Sequence, residues 1–207
     1  MKKLKSLSFF IGLLLAFTGS INIANAGVID AAHNGNGCCG SSIRGYWFEA
    51  PKDFTIDSIW LNTSSGLSTS YRLEVLKLDA TPPNFPSSTT NYSTLASFSN
   101  LSGIVDVDFS FLTNEIIGLL AWDDNLNMTP YSDDFAQNID GSPITLARLL
   151  RQSLTPGGPI STEPTSANPN IGAIGFTYNS GSVPEPASLA LFGLGLAGIY
   201  SSRKKKA

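Results

Sequence analysis

Cysteine is scarce in this chain of 207 residues, which has only the two neighbours Cys38 and Cys39. Because cysteines adjacent in sequence do not form the usual loop-closing bridge, the disulfide framework of small secreted domains is excluded. A vicinal disulfide, free thiols and an intermolecular bridge remain open, and we favour the local disulfide. A zinc site with His33 is disfavoured, because adjacent cysteines rarely supply two good tetrahedral ligands and no fourth ligand is evident.

Histidine is scarcer still, since His33 stands alone and no Gly-x-Ser-x-Gly sequence occurs. A serine hydrolase triad therefore has no support in the sequence. A glycosidase needs two carboxylates, which Glu49 with Glu74 or Glu115 could supply, but exposed acids on a folded surface are the simpler interpretation. We predict no catalytic residues and no enzymatic activity, with a secreted hydrolase as the third hypothesis.

Positive charge is nearly missing from the middle of the chain. Residues 27–182 contain fifteen acids against six cations, for a net charge of −9 that the whole-chain value of −3 hides. Such a surface repels nucleic acid, and it repels anionic polysaccharide unless metal ions bridge the two. The segment is long enough for one domain with a proper core, and we expect no nucleic-acid partner.

The cations that the middle lacks are concentrated at the two ends. Lys2, Lys3 and Lys5 precede a largely apolar stretch at 7–17, and Ala24-Asn25-Ala26 then matches a small-x-small cleavage site. This order is typical of a secretory signal peptide. We predict a signal peptide at 1–26, handled by the general secretion machinery and signal peptidase, and a mature chain that begins at Gly27.

The C-terminal end has three consecutive parts: Val183-Pro184-Glu185-Pro186, an uncharged stretch at 187–200, and Arg203-Lys204-Lys205-Lys206. The prolines make the first part stiff and extended. As a helix, the uncharged stretch rises only roughly 21 Å, against about 30 Å of hydrocarbon in a bilayer. Counting two serines and basic side chains that reach the interface, we predict a short membrane helix at 187–202 and a basic tail at 203–207.

This ordered combination resembles the PEP-CTERM sorting signal of exported proteins in Gram-negative, biofilm-forming bacteria. The resemblance implies recognition by a membrane-embedded exosortase, cleavage near Pro184, Glu185 and Pro186, and delivery to the cell surface or the extracellular matrix. It implies only transient contact with the membrane, an association with exopolysaccharide, and no reaction of its own.

The domain at 27–182 has the alternation of β-strands. It is clearest at 104–111, where Val105, Val107, Phe109 and Phe111 share one face and polar residues the other. Further strands are predicted at 43–48, 54–61, 71–78, 94–98, 116–122, 144–149 and 173–178, with long surface loops at 81–90 and 155–170. We predict an all-β, antiparallel, jelly-roll-like β-sandwich; a barrel fits nearly as well, and a short helix is the alternative at 145–152.

Looser resemblances extend into this domain. The stretch at 44–56 is similar to the opening of the β-rich domain found in many proteins with this tail, and the stretches at 115–120 and 142–149 are similar to later parts of it. These resemblances imply a fold and no catalytic set.

An acidic loop follows Trp122. Asp123, Asn125 and Asn127 stand at positions 1, 3 and 5 and Asp134 at position 12, which matches the ligand spacing of a calcium loop. The match fails at the turn position, where Met128 replaces glycine, and Asp134 is shorter than the usual bidentate Glu. Calcium is therefore a speculative cofactor, with Asp133 and Asp140 as further donors, and an Asx-rich turn is the simpler interpretation.

Trp47, Trp60 and Trp122 could stack on sugar rings, but each lies in or beside an apolar strand, which favours core packing. Our first hypothesis is a non-enzymatic protein of the cell surface or extracellular matrix, and the second is a carbohydrate- or calcium-binding module.

Overall fold

The computed structural model describes residues 26–35, 37, 41–163 and 170–180, and these belong to one compact unit. Fifteen strands run in the order β1 (Ala26–Asp30), β2 (Ile43–Glu49), β3 (Phe54–Thr63), β4 (Gly66–Leu67), β5 (Tyr71–Leu78), β6 (Tyr92–Leu101), β7 (Val105–Phe111), β8 (Ile116–Asp123), β9 (Tyr131–Ser132), β10 (Ala136–Ile139), β11 (Ser142–Thr145), β12 (Ala147–Arg151), β13 (Ile160–Glu163), β14 (Ile171–Gly172) and β15 (Ile174–Asn179). Within these ranges no helix is long and apolar enough to cross a membrane.

Two large sheets contain most of the strands. One has six strands in the order β13-β12-β2-β8-β5-β6, and the other has β1-β15-β3, with β4 and β7 also pairing with β3. Two-stranded ribbons, β10-β11 and β9-β14, complete the topology. The strands pair antiparallel throughout, so the prediction of an all-β, antiparallel fold is confirmed.

The two large sheets share one hydrophobic core. Phe48 of the six-stranded sheet stacks on Phe176 of the other sheet at 6.0 Å between ring centroids, and it lies 6.3 Å from Phe54. Tyr46 points into the same core, and its hydroxyl donates to the carbonyl of Ile174 at 2.9 Å. Aromatic side chains therefore join the inner faces of both sheets.

The outer face of the six-stranded sheet has a second apolar cluster. It consists of Ile43, Leu76, Leu78, Leu120, Trp122, Leu149 and Ile160, with Leu154 and other partly buried residues packed against it. Strand β8 is consequently buried on both faces, which explains why its sequence is almost continuously apolar rather than alternating.

The helix alternative at 145–152 is wrong, because β11 ends at Thr145 and β12 covers most of that segment. Leu146 belongs to the shared core, whereas Leu149 belongs to the outer cluster. A strand buried on both faces thus reproduces the apolar spacing of an amphipathic helix.

The two predicted surface loops also contain pairing that the sequence analysis did not predict. Strand β13 lies inside the predicted loop at 155–170, of which residues 164–169 are outside the described part. The loop at 81–90 forms bridges to β13, from Asn84 to Thr162 and from Thr89 to Ile160. These bridges protect the outer edge of the six-stranded sheet from pairing with another chain.

Strand β2 is crowded on both sides at Gly45. A Cβ atom there would lie 1.7 Å from the carbonyl oxygen of Leu119 on β8. A Cβ at Gly172 of β14 would lie 2.8 Å from the Cα of Gly45. Glycine at position 172 therefore lets β14 lie against β2, and glycine at position 45 lets β8 pair closely with β2.

Candidate functional site

The predicted sorting residues Val183, Pro184, Glu185, Pro186 and Arg203–Lys206 lie outside the described residues. The same holds for Cys38, Cys39 and Ala24. Ala26, the other predicted signal-peptide residue, opens β1 and pairs with Asn179 of β15. The predictions for these residues remain predictions.

The acidic loop after Trp122 is a tight turn that closes on itself. The backbone amide of Asp123 donates to the carbonyl of Met128 at 2.9 Å, and the Asp123 carboxylate accepts from the amide of Leu126 at 2.7 Å. Asn125 donates to Thr69 at 3.1 Å, and Asn127 has a φ of 54°. This is the geometry of an Asx-rich turn, in which the side chains satisfy nearby backbone groups.

Asp134 faces a different part of the chain. Its carboxylate accepts from the backbone amide of Ala32 at 3.2 Å, just after β1. Asp140 is likewise engaged, with Ser180 and with Lys52 at 3.8 Å. Across the described ranges, no three His, Cys, Asp or Glu side chains are grouped so that they could hold a metal ion. The calcium hypothesis, which also includes asparagine ligands, remains a prediction.

Two of the three glutamates considered for a glycosidase are paired with cations. Glu115 binds the Lys77 ammonium at 2.5 Å and also accepts from the amide of Leu112, and the hydrogen bond from Lys77 lowers the pKa of Glu115. Glu74 is buried against Arg151. Glu49 ends β2 at an exposed position.

The three tryptophans do not share one surface. Trp122 and the half-buried Trp47 belong to the outer cluster of the six-stranded sheet, and the Trp47 indole donates to Thr162 at 3.0 Å. Trp60 lies on the other large sheet and covers Gly175, where a Cβ would meet its ring at 2.3 Å. Trp60 and Trp122 are buried, as the core interpretation predicts.

Arg151 and Glu74 form a bidentate ion pair beneath the loop that follows β12. The Arg151 side chain is fully buried; its Nη1 donates to Glu74 at 2.8 Å, and its Nη2 donates to the other carboxylate oxygen. Its Nε donates to the carbonyl of Ser153 at 3.1 Å. Arg151 lines a cleft of about 230 Å³ and Glu74 another of about 170 Å³, both smaller than the roughly 300–1,000 Å³ of typical ligand pockets.

A second buried polar group lies at one end of the inner face, beside the β9-β14 ribbon. Arg44 and Arg148 are 5% and 2% exposed. The Arg148 guanidinium lies 5.2 Å from the ring centroid of Tyr131 and donates to its hydroxyl at 3.0 Å. Arg148 Nη1 lies 3.0 Å from the carboxylate of Glu163.

The environment of Arg44 is unfavourable for its charge. Desolvation by burial lowers the pKa of Arg44, and the positive charge of Arg148 lowers it further, against the opposing influence of Tyr131 and Glu163. We call Arg44, Arg148, Tyr131 and Glu163 the arginine cluster. In the sequence both arginines count toward the surface charge and nothing local predicts the cluster, although Arg44 has the same parity as the inward-facing Tyr46 and Phe48.

Comparison with protein-family models finds a match at the C-terminal end. The model of the PEP-CTERM protein-sorting motif matches residues 182–205. The chain carries a PEP-CTERM sorting motif. The motif implies an exported protein that an exosortase recognises and that is anchored in the membrane before it reaches the cell surface. No curated protein matches the chain.

Proposed function

We propose that this PEP-CTERM protein is a non-enzymatic component of the cell surface or extracellular matrix of a Gram-negative bacterium. Signal peptidase removes residues 1–26, and exosortase cleaves near Pro184, Glu185 and Pro186. The mature protein is a β-sandwich of the jelly-roll kind, associated with exopolysaccharide. The match of the sorting motif to residues 182–205 is the observation that carries this proposal.

The surroundings of the acidic side chains support a non-enzymatic role. A general acid or a nucleophile needs a carboxylate that is free to exchange protons or to attack. Arg151 engages both oxygens of Glu74, and Lys77 engages Glu115. With the backbone amide of Leu112 on the second oxygen of Glu115, these contacts occupy the oxygen atoms that a substrate would need.

Alanine replacement of Pro184, Glu185 and Pro186 together tests the sorting step. We expect an unprocessed precursor in the membrane fraction, detected as a larger band with an antibody against the strand-rich domain. A Lys204→Arg variant, which keeps the basic tail, is the matched control and should be processed as the unchanged chain is.

Expression of the unchanged chain in a host that lacks exosortase should reproduce the retained precursor. Equal size and equal location for the triple-alanine chain and the unchanged chain would contradict the sorting proposal. A screen on glycoside and ester substrates tests the non-enzymatic part separately. Turnover that is lost on mutating Glu49, Glu74 or Glu115 would overturn it, with Glu49→Gln and Glu115→Gln decisive because the loss of Glu74 also destabilises the fold.

A further inference from the structure

Strand register brings Arg44 and Arg148 together. Arg148 of β12 stands opposite Tyr46 of β2, and Arg44 stands opposite Leu150. The two arginines are therefore diagonal neighbours on one face of the sheet, a placement in which long side chains can meet. Since Tyr46 belongs to the shared core, this is the inner face.

The charges in the arginine cluster do not balance. Two buried guanidinium groups face one carboxylate, that of Glu163, whose side chain is 26% exposed on the edge strand β13. Guanidinium groups stay protonated in proteins, so the cluster retains one surplus positive charge. An uncompensated buried charge is costly, and a bound anion would remove that cost.

Several hydrogen-bond donors of the two arginines also lack an acceptor among the described residues. Nε of Arg44 and Nε of Arg148 are buried and have no acceptor among the residues that the structure describes. Arg148 Nη1 contacts Glu163 at 3.0 Å but lies outside hydrogen-bond geometry. Arg44 Nη1 donates to the carbonyl of Ile43 at 3.4 Å, and the Arg44 side chain also hydrogen-bonds Tyr131. Buried donors in proteins are nearly always paired, so unfilled ones indicate that an acceptor is missing.

Arg151 provides a comparison within the same strand as Arg148. Its three side-chain nitrogens all have acceptors, two from Glu74 and one from Ser153. A buried arginine that serves only stability can thus be fully satisfied in this fold. The arginine cluster differs because three of its buried donor nitrogens have no acceptor among the described residues.

We propose that the arginine cluster binds an oxyanion, either a carboxylate or a phosphate or sulfate group, through Arg44 and Arg148, with entry beside Glu163. Planar guanidinium donors match the paired oxygens of all these groups. One negative charge neutralises the surplus. The Tyr131 ring beneath Arg148 fixes one of the two guanidinium planes.

Thermal unfolding of the full-length chain tests this site. The melting temperature is measured in sodium phosphate, sulfate, acetate or galacturonate, each replacing an equal ionic strength of sodium chloride. We expect a saturable rise on the order of 5–10 °C at about a hundred times the half-saturating concentration. A larger rise with phosphate or sulfate identifies a tetrahedral ligand, and a larger rise with acetate or galacturonate identifies a carboxylate.

Arg44→Met and Arg148→Met should abolish the rise. Arg72→Met is the matched control, because Arg72 is a half-exposed arginine paired with Asp124, and it should keep the rise. If Arg148→Met fails to fold, Arg44→Lys decides, since it keeps the charge and loses the planar donors; we expect at least a tenfold weaker half-saturation. No rise with any of the anions, or an equal rise in Arg44→Met and the unchanged chain, would overturn the proposal.

Discussion

Arg151 and Glu74 show how one buried residue depends on another in this domain. Both side chains are almost fully removed from solvent, and the carboxylate accepts from two nitrogens of the guanidinium. A buried ion pair adds little net stability compared with apolar residues of the same volume, because both charges lose their hydration. Removing one partner is different, since the remaining charge then stays buried without compensation.

Glu74→Gln should therefore lower the free energy of unfolding by about 3–5 kcal/mol, measured by urea denaturation followed by tryptophan fluorescence. Glu115→Gln is the control, because its partner Lys77 is 45% exposed and solvent screens their interaction. It should cost about 1 kcal/mol or less. Equal losses in the two variants would show that burial does not govern the cost.

At the scale of strands, alternation in the sequence predicted the half-buried elements well. In β7, Asp106 and Asp108 are exposed and Val105, Val107 and Phe109 are partly buried against the core, as the period of two predicts. The same rule failed for β12, whose leucines are buried on both faces. Alternation reports one buried face, and it cannot report that a loop covers the other.

The sorting motif and the arginine cluster differ in how far the sequence alone could predict them. The sorting motif is contiguous, so its residues could be recognised directly in the sequence. The arginine cluster combines β2, β9, β12 and β13, and only strand pairing brings these together. The parity of Arg44 indicates an inward position, but no local pattern specifies which strands lie beside it.

In strand β2, the addition of a single methyl group at Gly45 should strongly destabilise the fold. Gly45→Ala places a Cβ against the backbone of β8, which cannot move without breaking the pairing between the two strands. We expect a loss of about 3 kcal/mol or more in the free energy of unfolding, at the upper end of overpacking effects. Gly35→Ala is the control, because nothing lies within 4 Å of its Cβ position, and its urea midpoint should barely change.

For the whole molecule, burial makes the surface more acidic than the composition indicates. Arg44, Arg148 and Arg151 are buried, which leaves only Lys52, Arg72 and Lys77 of the six cations of residues 27–182 outside. Of the fifteen acids in the same segment, only Glu74 and Asp123 are buried. The exposed part of the domain therefore has thirteen acids against three cations, a charge of −10 that repels polyanions, whereas the arginine cluster offers one confined positive site.

Cooperative folding of the domain should depend on β15, the last of the described strands. Strand β15 lies between β1 and β3, and its Phe176 packs on both Phe48 and Phe54. A chain ending after residue 172 should therefore lack cooperative urea unfolding and the near-ultraviolet circular dichroism of packed aromatics. A chain ending after residue 180 loses only the segment that contains the sorting motif and should retain both. Cooperative unfolding of the shorter chain would contradict this dependence.

The pairing of β1 with β15 also determines how the domain would respond to mechanical load. Gly27, the first residue of the proposed mature chain, pairs with Tyr178 near the end of β15, so the two ends of the domain leave the sheet at the same side. Tension applied between these ends would break the antiparallel bonds one pair at a time, because the load falls on the terminal pair first. Tension applied between residue 179 and the far strand β6 would instead act across both sheets and their shared aromatic core. If the protein is held by its C-terminal end, it should therefore withstand a larger force applied at β6 than a force applied at its N-terminus.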